Sequence, residues 1–465
     1  MNSPPNSPPN STAPPSLRSA LAHPVAWAGR LPFFYGYVMM PVAMLVLICT
    51  SPGQTFAVSA FKPALLKGLE LSESQLSFAY MLGTLLAALP LSLVGPLADR
   101  WGLRRVTLLT ILMLAGTCYG ASKVDGFMGL LCVFLMLRFL GQGSLTLLGG
   151  NTLSMWFRSR LGRMSAIISI GTAIAFAWVP QWLTDSIRGN GWRETFVGIA
   201  VLIASVVVPL VWFLFLNRPE EIGQCVDGES SIDESGDTFD AMPPGETRSS
   251  SAIDVQRQEV SWDLGQACRT KAFPILSACN AVWAMIGTAV VFHLFTLCQD
   301  RGMSEDLPPD LFKVFGLSML VMQLGGGVLT DFLRLHRLLG IGVFLLTIGM
   351  GSLAVGESSG HFYGFAAAFG AGQGLLIAVN AVVWVRYFGR EHLGKIRGAV
   401  WCLTVAGSGC GPLLMGITRD RWGLFDPAIA SLTALLVPLA IAAWFAVPPP
   451  IAQNCANAQQ SAVQD

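Results

Sequence analysis

About twelve stretches of roughly 20 apolar residues run through this chain, each long enough to cross the hydrocarbon of a bilayer. They lie near 35–61, 75–95, 105–122, 127–150, 164–184, 195–216, 272–298, 311–330, 338–356, 361–385, 396–418 and 428–447. A backbone in lipid has no water to satisfy its N–H and C=O groups, so runs of this kind must close their hydrogen bonds internally, as helices. The expected fold class is therefore all-α, a polytopic membrane protein. Composition agrees: 53% of the 465 residues are hydrophobic and 12% charged, about half the charge of an ordinary soluble domain. The formal net charge of +1 gives no support to nucleic-acid binding.

The runs fall into two sets. A charged turn, Gly95, Leu97, Asp99, Arg100, Gly102, Arg104, Arg105, separates the second and third, and its Gly-x-Leu-x-Asp frame returns at Gly327, Leu329 and Asp331 with Arg334 and Arg337 behind it. The two aspartates are 232 residues apart. Gly141-Gln142-Gly143 and Gly372-Gln373-Gly374 lie 231 apart, and an aromatic pair follows each at the same distance, Trp156-Phe157 and Tyr387-Phe388. A repeat of that length relates two six-helix halves. The expected organisation is a tail over 1–34, a first half over 35–216, a linker over 217–271, a second half over 272–447 and a tail over 448–465. The linker is polar and cannot bury enough apolar surface to fold alone.

Orientation is read from Lys and Arg in short loops. With the N-terminus in the cytoplasm, the inner loops hold the Arg100, Arg104, Arg105 turn, then Arg158, Arg160 and Arg163, then Arg334 and Arg337, then Arg386, Arg390, Lys395 and Arg397. The outer loops hold fewer, Lys62 and Lys67 among them. Both termini are thus expected in the cytoplasm and the chain in the cell (plasma or inner) membrane. The first thirty or so residues lack a secretory cleavage pattern, and the dispersed cysteines suit packing better than metal binding or disulfides.

On these residues the chain resembles the major facilitator superfamily. The family's turn, Gly-x-x-x-Asp-Arg/Lys-x-Gly-x-Arg/Lys-Arg/Lys, is matched at Gly95, Asp99, Arg100, Gly102, Arg104 and Arg105, and its fourth-span Arg with Gln-Gly at Arg138, Gln142 and Gly143. Within that superfamily, Tyr35-Gly36-Tyr37, the Asn217-Arg218-Pro219 exit and Ser261-Trp262 before span 7 are most similar to the bacterial oxalate–formate and monocarboxylate branch. Charges common in spans 8 and 11 of that branch are replaced here by Gln323 and by Trp401, Thr404 and Ser408. The resemblance implies the major facilitator fold, twelve helices as six plus six, with a solute cavity lined by spans 1, 4, 7 and 10. It also implies a gate in which Asp99 meets the positive end of span 11 near Gly394 when the inner side is closed, with Gly327 and Asp331 as its second copy.

Ionised side chains are expensive in lipid and mark function or structure. Arg138 reads as the one Lys, Arg, Asp or Glu deep in an apolar run, on a stripe with Gln142, Thr146 and Gly149. It either faces the cavity and draws an anion, or is a structural arginine held by carbonyls. His293 in span 7 is either a proton exchanger or a packing histidine. Neutral groups complete the candidate path: Gln54 after the Pro52-Gly53 break, Asn280 and Trp283, Gln323, then Gln373, Asn380 and Trp384 on one face of span 10, and Trp401 with Thr404 in span 11.

No nucleotide-binding loop and no nucleophile–base pair is present, so neither ATP-driven transport nor enzymatic chemistry is expected. The reading is a transporter that moves a small organic solute, an anion such as a carboxylate, by alternating access. An exporter of neutral or amphipathic compounds is the alternative, and a non-transporting receptor or scaffold the alternative of another class. The expected partners are the solute and the lipid bilayer, with no nucleic acid, no cofactor and no metal, and the expected state is a monomer.

Overall fold

The computed structural model describes residues 32–158, 160–228, 262–389 and 392–449. Long helices dominate: α1 (Gly36–Leu69), α2 (Glu73–Leu91), α3 (Leu103–Ala121), α4 (Phe127–Trp156), α5 (Leu161–Asn190) and α6 (Trp192–Leu214) come before residue 229. After residue 261 follow α7 (Ala272–Asp300), α8 (Leu307–Phe332), α9 (Leu335–Val355), α10 (Ser359–Phe388), α11 (Leu393–Trp422) and α12 (Asp426–Ala443). Eleven of these, among the described residues, are long and apolar enough to cross a membrane. The remaining one, α3, opens with Arg104 and Arg105, yet its 19 residues occupy the place expected for span 3.

Punctuation follows local chemistry. Ser72 caps α2 by accepting from the Gln75 amide, while the Gln75 side chain accepts from the Ser72 amide, so two orphan donors are satisfied reciprocally. Gly102, at φ 87°, makes the sharp corner between the short helix Val94–Trp101 and α3, and that positive φ suits a residue without a Cβ. The Asn217 side chain accepts from the Arg104 amide there, and the Arg104 guanidinium donates to the Trp212 carbonyl, fastening the turn to α6. Much of the expected 217–271 linker lies outside the described residues. Its start is tied to the first half: Gln224 accepts from the Tyr35 amide and Asp227 from the amides of Arg158 and Arg160.

The first expected span ends too early. Sequence reading stopped it at 61 because Lys62 looked like a loop charge, but α1 continues to Leu69 and Lys62 is fully buried within it. The helix is broken instead at Ser51–Gly53, a tight turn set by Pro52. There it presses on a wider, π-type stretch of α4, Leu137–Leu145. A Cβ on Gly53 would lie 2.2 Å from the Leu137 carbonyl oxygen, so only glycine permits the approach.

The two halves meet mainly through α1 with α7, α2 with α11 and α5 with α8. Ser74 at the start of α2 donates to Asp420 at the end of α11, and Arg188 at the end of α5 pairs with Asp306 before α8. Gly416 on α11 sits so close to α2 that a Cβ would come within 2.8 Å of the Glu73 carbonyl oxygen. These contacts lie at the end of the bundle away from the Gly-x-Leu-x-Asp turns. At the turn-bearing end, α2 and α11 part company, leaving Leu89 72% and Trp401 61% exposed. The bundle is thus shut at its far end and open at the end that carries the turns.

Candidate functional site

The opening leads into a cavity of about 610 Å3 in the second half. From α7 come Asn280, Trp283 and Ala284, from α10 Gln373, Asn380 and Trp384, and from α11 Arg397, Trp401 and Thr404. Seven of the side chains expected from sequence are therefore together: Asn280, Trp283, Gln373, Asn380, Trp384, Trp401 and Thr404. Periodicity places them: 373, 377, 380, 381 and 384 recur at helical spacing and put one stripe of α10 on the cavity.

Several of these groups are already oriented. Trp384 Nε1 donates to Asn380 Oδ1 at 3.1 Å, and Asn280 Nδ2 donates to the Leu276 carbonyl at 2.9 Å. Trp283 Nε1 is buried and, among the described residues, has no hydrogen-bond partner. Arg397 is the one ionic group in the lining, and a single nitrogen, Nη2, donates to the carbonyls of Asn380 and Ala381. By sequence alone Arg397 is one of the inner-loop charges that set orientation. Its place on the first turns of α11, where the two halves diverge, brings it into the cavity mouth.

A smaller cavity of about 230 Å3 lies across the first half. It is lined by Gln54, Thr50, Thr146 and Thr172, with Phe176 and with Met319 reaching over from α8. Gln54 Nε2 donates to Thr50 Oγ1 at 3.1 Å. Gln323 is not in the large cavity; its amide sits 3.4 Å from Ser169 Oγ, between the halves.

Arg138 lies 5% exposed in the seam between α1, α2 and α4. Its Nε donates to Thr84 Oγ1 at 3.0 Å, its Nη1 to the Gly53 carbonyl at 3.3 Å, and its guanidinium stands 4.9 Å from the centre of the Tyr80 ring. The carbonyl is at the α1 break, as the Pro52-Gly53 pair foreshadowed. This is the geometry of the arginine held by its own half, and Arg138 is on the wall of neither cavity. Gln142, one turn on, packs against Gly53 and leaves Oε1 buried without a donor.

His293 is fully buried at the shut end of the bundle and is on the wall of neither cavity. Its Nδ1 is 2.8 Å from Lys62 Nζ and its Nε2 is 2.9 Å from the Pro412 carbonyl. Lys62 also donates to Thr296 and lies 2.7 Å from Glu73 Oε2. Arg138 is thus not the lone buried charge. Lys62 reads from sequence as an outer-loop lysine and Glu73 lies beside a segment boundary; the packing of α1 against α7 and of α2 against α11 encloses them.

The expected gate turns are apart in this conformation. Asp99 is exposed and makes no hydrogen bond or ion pair among the described residues, while nothing lies within 4 Å of a Cβ on Gly394. The expected contact between them belongs to a state closed at the turn-bearing end, and this structure is open there. Asp331 instead pairs with Arg386 of its own half at 2.7 Å.

The profile of the Major Facilitator Superfamily matches residues 43–325. The chain belongs to the Major Facilitator Superfamily. Among curated relatives, an uncharacterised MFS-type transporter of Escherichia coli (strain K12), YhjX, is 23% identical over 77% of this chain and 82% of its own length. The 4-hydroxybenzoate transporter PcaK of Pseudomonas putida is 25% identical over 75% and 78%. Solved structures share the fold: a bacterial homologue of the human lysosomal transporter Spinster superposes with a TM-score of 0.64 at 13% identity, covering 89% of this chain and 97% of that one. The nucleoside transporter NupG does so with 0.62 at 12%, covering 89% and 99%. The protein is a multi-pass membrane transporter of this superfamily.

Proposed function

We propose that this transporter carries a small organic anion, a monocarboxylate with a flat, apolar body, and binds it in the second-half cavity. The observation that carries the reading is the lining of that cavity: its one ionic group is the cation Arg397, on a wall it shares with three tryptophans. Trp283, Trp384 and Trp401 offer faces for a planar ring, and Asn280, Asn380 and Gln373 offer polar contacts for a hydroxyl or a second oxygen. That chemistry fits the relative named for 4-hydroxybenzoate, and it keeps the carboxylate reading while moving its positive partner from Arg138 to Arg397.

Asp99 and its turn are proposed to meet α11 when the turn-bearing end closes, and that end is proposed to face the cytoplasm together with both termini. The halves, α1–α6 and α7–α12, would then rock around the cavity.

Ligand-induced stabilisation tests the substrate class without knowing the direction of transport. 4-Hydroxybenzoate and a panel of monocarboxylates should raise the melting temperature of the purified protein, and the matched neutral amides should not. Arg397→Gln should weaken carboxylate binding by about 10- to 100-fold, the loss of one charge-assisted hydrogen bond. Equal stabilisation by acid and amide would instead favour the neutral-solute exporter.

A further inference from the structure

The buried cluster at the shut end is not needed to hold a solute, and its parts come from both halves. Lys62 on α1 and Glu73 on α2 belong to the first, and His293 and Thr296 on α7, with the Pro412 carbonyl of α11, to the second. The hydrogen bonds fix the imidazole's state. Nε2–H donates to the Pro412 carbonyl, so Nδ1 carries the lone pair, and Lys62 donates into it. In this arrangement the histidine is neutral, and the ammonium of Lys62 and the carboxylate of Glu73 cancel.

We propose that His293 is a proton-binding site of the far-open state, so that taking up a proton at Nδ1 and closing the far end exclude each other. A proton on Nδ1 would face the Lys62 ammonium at 2.8 Å and leave two cations against one carboxylate in a fully buried interface. When the halves separate at this end, Lys62 and Glu73 leave together on the first half. The His293 lone pair is then free to take a proton from water.

Two further observations support a proton rather than a packing role. Glu73 Oε2 stands between the other two, 2.7 Å from Lys62 Nζ and 3.4 Å from His293 Nδ1, so the carboxylate and the imidazole share one ammonium. Above it a vestibule of about 570 Å3, lined by Lys67, Glu73, Thr296, Asp300 and Arg419, reaches the carboxylate from the far side.

Charged neighbours on every packed element are accounted for. Lys62 comes from α1, Glu73 from α2, Asp300 from α7, and Arg419 and Asp420 from α11. Arg419 and Asp300 form a bidentate pair at 2.6 and 2.7 Å, and Asp420 accepts from the Ser74 amide. Phe292 beside the ring and Phe425 across it are apolar. His293 is thus the group in the cluster whose ordinary titration falls near neutrality.

The sign follows from linkage. The far-closed state binds one proton fewer at His293, so it is favoured at high pH and loses ground as pH falls. For an imidazole that titrates near pH 6.5 once wetted, the ratio of far-open to far-closed molecules should rise about tenfold between about pH 7.5 and about pH 5.5.

The proposal deepens the transport reading, yet its test reads conformation and not transport, so failure of the solute hypothesis leaves it standing. Fluorophores are placed by click chemistry on unnatural amino acids replacing Lys123 and Glu357, exposed residues on the far-side loops of the first and second halves. Single-molecule energy transfer is then followed against pH in nanodiscs. The wild-type far side should open on acidification; His293→Gln, which can still donate to Pro412 and accept from Lys62, should flatten the response, and Asp300→Asn should retain it. A wild-type trace that is flat or tightens in acid overturns the proposal without any variant. So does a response that survives in His293→Gln, or one that disappears in Asp300→Asn.

Discussion

Gly411→Ala tests how the second half is built. Gly411 faces α7 so closely that a Cβ would lie 2.2 Å from the Met285 carbonyl oxygen and 3.0 Å from the Ala289 Cβ. Ordinary contact begins near 3.4 Å, so α7 and α11 must part by the difference, 1.2 Å, or distort. The obstructing atom is helical backbone and cannot rotate away. Overpacking of this kind costs about 1–3 kcal/mol, and the rigidity of the neighbour argues for the upper end. Over a six-helix unit that lowers the melting temperature by something on the order of 5–10 °C. Asn280 and Trp283 on α7 and Trp401 and Thr404 on α11 are cavity walls, so the same displacement should weaken solute binding. Gly394 and Gly398 on the same helix have nothing within 4 Å, and alanine there should be neutral or stabilising by up to about 1 kcal/mol. The assay is a thermal melt of the four purified proteins with and without 4-hydroxybenzoate. If Gly411→Ala melts with the wild type while its ligand shift is unchanged, the α7–α11 seam is not the tight contact described.

Other outcomes follow from the same geometry. Arg138→Gln should lower stability by about 2 kcal/mol through the lost bonds to Thr84 and the Gly53 carbonyl, while carboxylate affinity stays the same; a selective loss of binding would return Arg138 to the cavity. Glu73→Gln leaves the Lys62 ammonium buried without its counter-charge and should cost about 3–5 kcal/mol, most of it recovered in the double variant with Lys62→Met, as read by thermal denaturation. Asp99→Asn should leave the melting temperature unchanged, because Asp99 has no partner among the described residues in this conformation, yet slow transport in proteoliposomes. Asp331→Asn loses a half-exposed pair with Arg386, worth at most about 1 kcal/mol, and should slow transport less.

The membrane setting, the helical class and the duplication are legible in the amino-acid sequence. Hydrophobic length and the requirement that backbone groups be satisfied in lipid leave a chain like this few alternatives, and the Gly95–Arg105 turn with its partial copy at Gly327–Asp331 is local in sequence. The stripe of Gln373, Asn380 and Trp384 was legible for the same reason, since helical spacing alone puts those residues on one face. What faces that stripe was not legible. Arg397 reads as a loop charge unless α11 is known to diverge from α2, and sequence leaves Arg138 open between an anion site and a structural arginine, a choice on which its bonds to Thr84 and the Gly53 carbonyl bear. Lys62, Glu73 and His293 lie on three helices and, between Lys62 and His293, 231 residues apart, with no shared motif. Their meeting depends on how two half-bundles lean together at one end. No local preference of the chain encodes that, and only the tertiary structure decides which buried charges find one another.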